Sequence, residues 1–242
     1  MNLSTHSTPL SEPSTTAAET IGSQPQRIVI LISGRGSNME SIVRMAQGRQ
    51  DMEVVAVIAN RADSAGLVWA KEQGIATELI SHHDYHDRLA FDRALMERID
   101  AYQPDWVILA GFMRILTDVF VSHFMAKLIN IHPSLLPLFP GLDTHKRALE
   151  AGCTVHGSTV HFVTPELDAG PTIAQSLVPV LTGDDEASLT ERVLSTEHQL
   201  YPAVIEYLVS GVCYLDAQGQ VQWTKPAQRL FAHAALQDSL SN

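Results

Sequence analysis

The sequence predicts an α/β protein: a Rossmann-like, mostly parallel sheet with helices on both faces, continued by a C-terminal antiparallel extension. Three observations carry that expectation. Short, wholly apolar runs alternate with segments of helical period up to about residue 132, the pattern of strands covered on both faces. A glycine-rich turn follows the first apolar run. After residue 153 the β segments become more polar and alternating, as antiparallel strands with a wetter face do.

In order along the chain, "RIVILIS" (27–33) is the first strand and "MESIVRMAQG" (39–48) the first helix, closing on Gly48. "EVVAVIAN" (53–60) is a strand, "AGLVWAKEQG" (65–74) a helix stopping at Gly74, and "ATELIS" (76–81) a short strand. "DYHDRLAFDRALMERIDAYQ" (84–103) reads as an amphipathic helix with Asp84 as its N-cap. "DWVILAGF" (105–112) and "LINIH" (128–132) are further apolar strands. Two β segments follow, "TVHGSTVHFVT" (154–164) and "TIAQSLVPV" (172–180), joined by "PELDAGP". The stretch 184–211 is a long helix that Pro202 is expected to kink or restart. "VCYLDAQGQVQWT" (212–224) is a hairpin turning at Asp216–Gly219.

Residues 1–26, rich in Ser, Thr and Pro without apolar period, read as a disordered tail, and 225–242 as a partly helical one ending in "LFAHAALQDSLSN". The folded domain is expected over 27–224.

A formal charge of −11 lacks the basic footprint that nucleic acid or an anionic membrane needs. Small molecules are the expected partners. Cys153 and Cys213 form no disulfide framework and no metal-ligand spacing, which suits a reducing cytosol. The N-terminus has no secretory signal, and no apolar run is long enough to span a membrane. A cytoplasmic protein is expected, as a monomer or weak homodimer.

"SGRGSNM" (33–39) joins the first strand to the first helix, where backbone N–H groups and the positive end of a helix dipole face outward. Gly36, Ser37 and Asn38 suit a single phosphate. Position 39 is Met where the dinucleotide fingerprint needs Gly, and the second strand ends in Asn60–Arg61 rather than an acid. The Gly-Lys-Ser/Thr of a Walker loop is absent.

In "NIHPSLLP" (130–137), period-two alternation puts Asn130 and His132 on one face at the carboxyl end of a strand, where open α/β sheets place their sites. His132 can carry a proton near neutral pH, and an Asn130 amide can donate to a developing oxyanion. A carboxylate to orient the histidine could be Asp168 in "ELDAGP" or Asp143; spacing alone separates them little. The cluster "SHHDYHD" (81–87) reads as a solvated helix start rather than a metal site. His156 and His161 read as structural or substrate-proximal.

"LISGRGSNM", "LAGFMRIL", "NIHPSLLPLFPGL", "HGSTVHFVTPELDAGPTIAQ" and "TEHQLYP" occur in that order. In them the sequence resembles the phosphoribosylglycinamide formyltransferases, folate-dependent enzymes of purine synthesis, over roughly residues 27–224. The HPSLLP-type core is shared by several formyltransferases; its combination with GRGSN and TEHQLYP is much more specific. The resemblance implies transfer of a formyl group from 10-formyltetrahydrofolate, as co-substrate, to the amine of glycinamide ribonucleotide, without a metal. It implies that Asn130, His132 and Asp168 are catalytic and that Gly36, Ser37, Asn38 and Glu197 bind the ribonucleotide. Arg88, Met113, Arg114, Ile115, Leu116 and Asn130 are implied for the folate, with the "PELDAG" loop closing over the pterin. Departures are small: Asp143 stands where a His is expected, and Ala169 where some members carry Gly.

Three other functions can be weighed. A methionyl-tRNA formyltransferase shares the Asn/His pair but usually has Gly after the His, lacks GRGSN, and binds a polyanion poorly suited to an acidic surface. A formyltetrahydrofolate deformylase would use water as acceptor and usually carries a further N-terminal domain. A non-catalytic phospho-ligand or folate module would need neither the polar pair nor Asp168.

Overall fold

The first apolar run forms β1 (Gln26–Ile32), and the alternation after it gives α1 (Ser37–Ala46), β2 (Met52–Ala59), α2 (Ala65–Glu72) and β3 (Ala76–Leu79). Next come α3 (Arg88–Ala101), β4 (Trp106–Leu109), α4 (Asp118–His123) and β5 (Leu128–His132). The structure is a computed structural model in which residues 24–236 are described. The more polar half supplies α5 (Thr144–Glu150), β6 (Val155–Phe162), β7 (Thr172–Pro179) and α6 (Glu186–Val209). It ends with the hairpin β8 (Cys213–Leu215) and β9 (Val221–Trp223), then β10 (Leu230–Ala232).

The main sheet has eight strands in the order β10-β7-β6-β5-β4-β1-β2-β3. β3, β2, β1, β4 and β5 run parallel; β6 is antiparallel to both β5 and β7. Chain order reverses at β1, whose neighbours are β2 on one side and β4 on the other, leaving a crevice at the carboxyl ends of β1 and β4. One layer of core packs the sheet on α6 and includes Ile129, Ile131, Leu200 and Val204. The other packs it on α3 and α4 and includes Leu128, Phe91, Leu95 and Phe120.

Register follows from that burial. Leu128, Ile129 and Ile131 are each buried, and an aliphatic side chain of this size contributes about 1.5–3 kcal/mol on burial. A slip of one residue would turn Asn130 and His132 toward the α6 layer, so the aliphatics hold the polar pair at the cleft.

Several boundaries differ from expectation. The helix foreseen from residue 84 begins at Arg88, capped by Asp87, whose side chain accepts the Ala90 N–H at 2.7 Å. Residues His82–Asp84 are instead a short 3-10 turn capped by Ser81. α1 starts two residues earlier than read, which places Ser37 and Asn38 inside its first turn. α6 does not restart at Pro202 but runs for 24 residues through it. α4 and α5, of six and seven residues, are too short to show a clear period in the sequence.

The helix expected from Leu230 is corrected at its start. Leu230–Ala232 form β10, pairing in parallel with Gln175–Leu177 at the open edge of β7. Short apolar runs do not separate strand from helix by period alone, and here an unfilled sheet edge decides. Residues 234–236 then begin a helical turn. Residues 1–23, most of the expected N-terminal tail, and 237–242 lie outside the described residues.

Candidate active site

At the β1 end of the crevice, Gly36 takes a left-handed conformation (φ 75°) and leads directly into α1. A side chain there would be strained, and its Cβ would meet the Met39 side chain at 3.0 Å. The turn sets the helix so that the first intrahelical bond, Glu40 N–H to the Gly36 carbonyl at 2.9 Å, leaves the N–H groups of Ser37, Asn38 and Met39 directed out of the helix end. Ser37 and Asn38, with Gly36, line a cleft of about 230 Å³ shared with Arg35, Arg61, Gly111 and Met113. Ser33 joins the two strand ends below it: its N–H donates to the Gly111 carbonyl at 3.1 Å, and its Oγ accepts the Met113 N–H at 2.7 Å.

Glu197, on α6, supports the turn from beneath. Asn38 Nδ2 donates to Glu197 Oε2 at 2.7 Å. Burial pushes the Glu197 carboxyl up to about 7, the Asn38 bond opposing that rise. Four residues on, one turn of the same helix, the Tyr201 hydroxyl reaches the carbonyls of Leu109 and Ile129 at 3.0 and 3.2 Å. α6 is thereby fixed to the ends of both β4 and β5.

The other end of the crevice is assembled across strands. Leu31 pairs with Leu109, and Leu109 with Asn130, so the β1–α1 turn and the polar pair stand two strand spacings apart, about 10 Å. His132 is buried and its Nδ1 lies 3.4 Å from Asp168 Oδ2. The carboxylate that sequence spacing left open is therefore Asp168. Asp143, left-handed at φ 56°, is instead the N-cap residue of α5. Asp168 is itself left-handed (φ 52°), a conformation Asp tolerates better than most residues, and its Oδ2 accepts the Gly141 N–H at 2.8 Å.

The Nε2 of His132 lies 3.0 Å from the Phe139 carbonyl. A carbonyl can only accept, so this nitrogen carries a proton and the ring is turned with Nδ1 toward Asp168. Asn130 is fixed in a similar way. Its Nδ2 lies 3.2 Å from His161 Nε2, while His161 Nδ1 donates to the Phe162 carbonyl at 2.9 Å. With its proton on Nδ1, His161 accepts from Asn130 at Nε2, and burial lowers the His161 pKa in favour of that neutral ring. Gly170 admits the Phe162 carbonyl: a Cβ at that position would collide with it. One Asn130 amide N–H is spent on His161 and the second remains for a ligand. His161 was read only as structural or substrate-proximal. The missing signal was pairing, because antiparallel β5 and β6 set Asn130 opposite His161.

The segment after β4 continues from the cleft at the β1–α1 turn. Met113 and Ile115 are 68% and 54% exposed, apolar side chains left uncovered beside a polar site. Arg114 places its guanidinium 5.2 Å over the Phe91 ring of α3, and Arg88 is exposed at the first position of that helix. The Thr117 N–H and hydroxyl both donate to buried Asp92 at 2.6 Å, anchoring the segment just beyond Leu116.

Two further histidines lie behind His132. The rings of His145 and His156 meet edge-on at 5.2 Å. Burial, then the neighbouring His145, holds His156 down to about 4. Of the "SHHDYHD" cluster, His82 Nδ1 lies 3.3 Å from the Asn60 carbonyl. Among the described residues, no group of three His, Cys, Asp or Glu side chains is placed to hold a metal ion, and no helix is long and apolar enough to cross a membrane.

An open helix start, an amide–imidazole–carboxylate group across the switch point and an uncovered apolar segment between them suit a group-transfer enzyme of the formyl transferase class. Residues 26–205 match the formyl transferase family. The chain is 51% identical to the phosphoribosylglycinamide formyltransferase of Escherichia coli (strain K12) over 185 residues, 76% of this chain and 87% of that protein. It is also 44% identical over 200 residues to the trifunctional purine biosynthetic protein adenosine-3 of Homo sapiens, covering 82% of this chain and 20% of that one. Among solved structures, the phosphoribosylglycinamide formyltransferase of Coxiella burnetii, described as a complex with CHES, superposes with a TM-score of 0.79 at 44% identity, covering 86% of this chain and 99% of that one. The enzyme from Anaplasma phagocytophilum gives 0.80 at 37% identity, covering 87% and 100%. The chain therefore belongs to the formyl transferase family and, within it, to the phosphoribosylglycinamide formyltransferases. Its activity is formyl transfer in purine biosynthesis.

Proposed function

We propose that the crevice binds glycinamide ribonucleotide with its phosphate on the β1–α1 turn and its amine beside Asn130, and that the formyl donor is 10-formyltetrahydrofolate. The observation that carries this reading is the His132–Asp168 contact of 3.4 Å, standing about two strand spacings, or roughly 10 Å, from a helix-end anion site. That span suits a phosphoribosyl group reaching from phosphate to amine. The relatives named for this substrate support it.

Gly36, Ser37 and Asn38 hold the phosphate, and Glu197 keeps Asn38 in place while closing the floor of the ribose side. Met113 and Ile115 cover the flat faces of the folate, and Arg88 and Arg114 suit the carboxylates at its far end. The "PELDAG" loop closes over the pterin. The folate supplies the activated formyl carbon; the remaining chemistry belongs to the protein. As the amine attacks, negative charge gathers on the formyl oxygen. Asn130 meets it with its free amide N–H, and His132, protonated, with Nδ1–H. Asp168, in contact with the imidazole, takes part in moving the proton from the attacking amine toward the departing folate nitrogen. Both donors are oriented beforehand by carbonyl-anchored partners, so little reorganisation opposes the step. A reducing, cytoplasmic setting fits Cys153 and Cys213, which are both free.

The test is to follow loss of the formyl group from 10-formyltetrahydrofolate with and without glycinamide ribonucleotide. Turnover that requires the ribonucleotide is the expected result. Equal turnover without it would make water the acceptor, and no turnover in either case would leave a binding module.

A further inference from the structure

We propose that Arg147 is a positioning residue for the transfer step, locking the bend Phe139–Leu142 whose backbone holds both His132 and Asp168. The inference rests on reading those two residues as part of the reacting group. The bend is not a relaxed one: Phe139 has φ 52°, Gly141 79° and Asp143 56°. A non-glycine residue in this region costs about 1–3 kcal/mol and persists only where its surroundings over-determine it. The bend also carries two bonds that matter to the site. The Phe139 carbonyl receives His132 Nε2 at 3.0 Å, and the Gly141 N–H donates to Asp168 Oδ2 at 2.8 Å.

Arg147 binds the same short stretch from the other side. Its Nη1 donates to the Pro140 carbonyl at 2.6 Å and to the Leu142 carbonyl at 3.3 Å. Its guanidinium lies 5.4 Å over the ring of Phe139, which also meets His156 edge-on at 6.2 Å. The Pro140 carbonyl and the Gly141 N–H belong to one planar peptide group. A cation therefore sits on its oxygen and the Asp168 carboxylate on its hydrogen, each bond polarising the group in favour of the other. Rotation of that plane would release Asp168, and displacement of Phe139 would release His132. Arg147 opposes both, from a helix that starts within the same bend, its own N–H bonded to the Asp143 carbonyl at 2.9 Å. An arginine that only solubilised a helix would not need three contacts converging on one bend. Arg147 touches neither reacting atom and acts through the backbone.

The experiment compares Arg147→Met, which keeps the stem and removes the donors, with Arg147→Lys, which keeps a charged donor in reach of Pro140. For Arg147→Met, kcat is expected to fall about ten- to a hundredfold, the scale of a small misplacement of reacting groups, with KM for glycinamide ribonucleotide within about twofold of wild type. Arg147→Lys should recover a substantial part of kcat, and the full wild-type chain with Asn130→Ala is the control. Unchanged kcat in Arg147→Met while Asn130→Ala has lost turnover overturns the inference. So does an equal decline through KM with no recovery in the lysine variant, the mark of a merely structural role. If Asn130→Ala also turns over normally, the reading of the site itself has failed. Should Arg147→Met not fold, the lysine variant decides alone: it must show a reduced kcat at unchanged KM.

Discussion

At the end of the crevice proposed for the phosphate most groups come from one contiguous turn and the helix it opens, whereas the proposed reacting end is gathered from four separate stretches of chain. The turn Gly36–Asn38 needs only a left-handed glycine and the free N–H groups of a helix start, with Glu197 packed beneath. The reacting end needs β5, the bend at Phe139–Leu142, the Asp168 loop and β6, each correct relative to the others. The two ends should therefore fail differently. Damage to the turn weakens binding of substrate and transition state alike, while damage to the assembled end removes interactions made only in the transition state.

The largest effect is expected at the assembled end. Asp168→Asn keeps a residue that tolerates the left-handed backbone but removes the charge facing His132. It should lower kcat by about 10²- to 10⁴-fold, the range of a positioned proton carrier, with ribonucleotide KM little changed. Steady-state kinetics on the purified variant would blur the comparison if the loss appeared in KM instead. At the turn, Gly36→Ala forces a Cβ into the left-handed region, at a cost of about 1–2 kcal/mol, and against Met39. Ribonucleotide KM should rise about tenfold for that energy while kcat at saturation stays near wild type. A loss confined to kcat would contradict the assignment of the turn.

The smallest effect is one of stability. Burial raises the Glu197 carboxyl from 4.5 to about 7, so in that window the unfolded chain releases its proton while the folded one keeps it. The folded protein consequently loses stability as pH rises through the window, by at most about 3 kcal/mol at 1.36 kcal/mol per pH unit. Glu197→Gln removes that ionisation, so its stability relative to wild type should grow between pH 4.5 and about 7 in urea titrations. A difference that stays flat with pH would show that Glu197 is ionised in the fold throughout.

The same contrast governs what could be read in advance. The β1–α1 turn was legible because its geometry is local: a strand, glycines at fixed offsets and a helix start. The face shared by Asn130 and His132 followed from alternation along β5, which burial of Leu128, Ile129 and Ile131 enforces. The partnership of His132 with Asp168 rested on family resemblance alone, because 35 intervening residues and four left-handed positions fold between them. His161 and Arg147 were out of reach for the same reason. One acts through cross-strand pairing, the other through backbone carbonyls of a bend with no propensity signal. β10 was misread because three apolar residues carry no period of their own, and only the open edge of β7 chooses between helix and strand.

The most direct test of the central claim is the kcat of Asn130→Ala with ribonucleotide and folate both saturating. Its amide is held by His161 with one N–H left over, so it is a donor aimed before the reaction begins. Loss of such a donor predicts a fall in kcat of about 10²- to 10³-fold with ribonucleotide KM nearly unchanged. Turnover close to wild type would contradict the account.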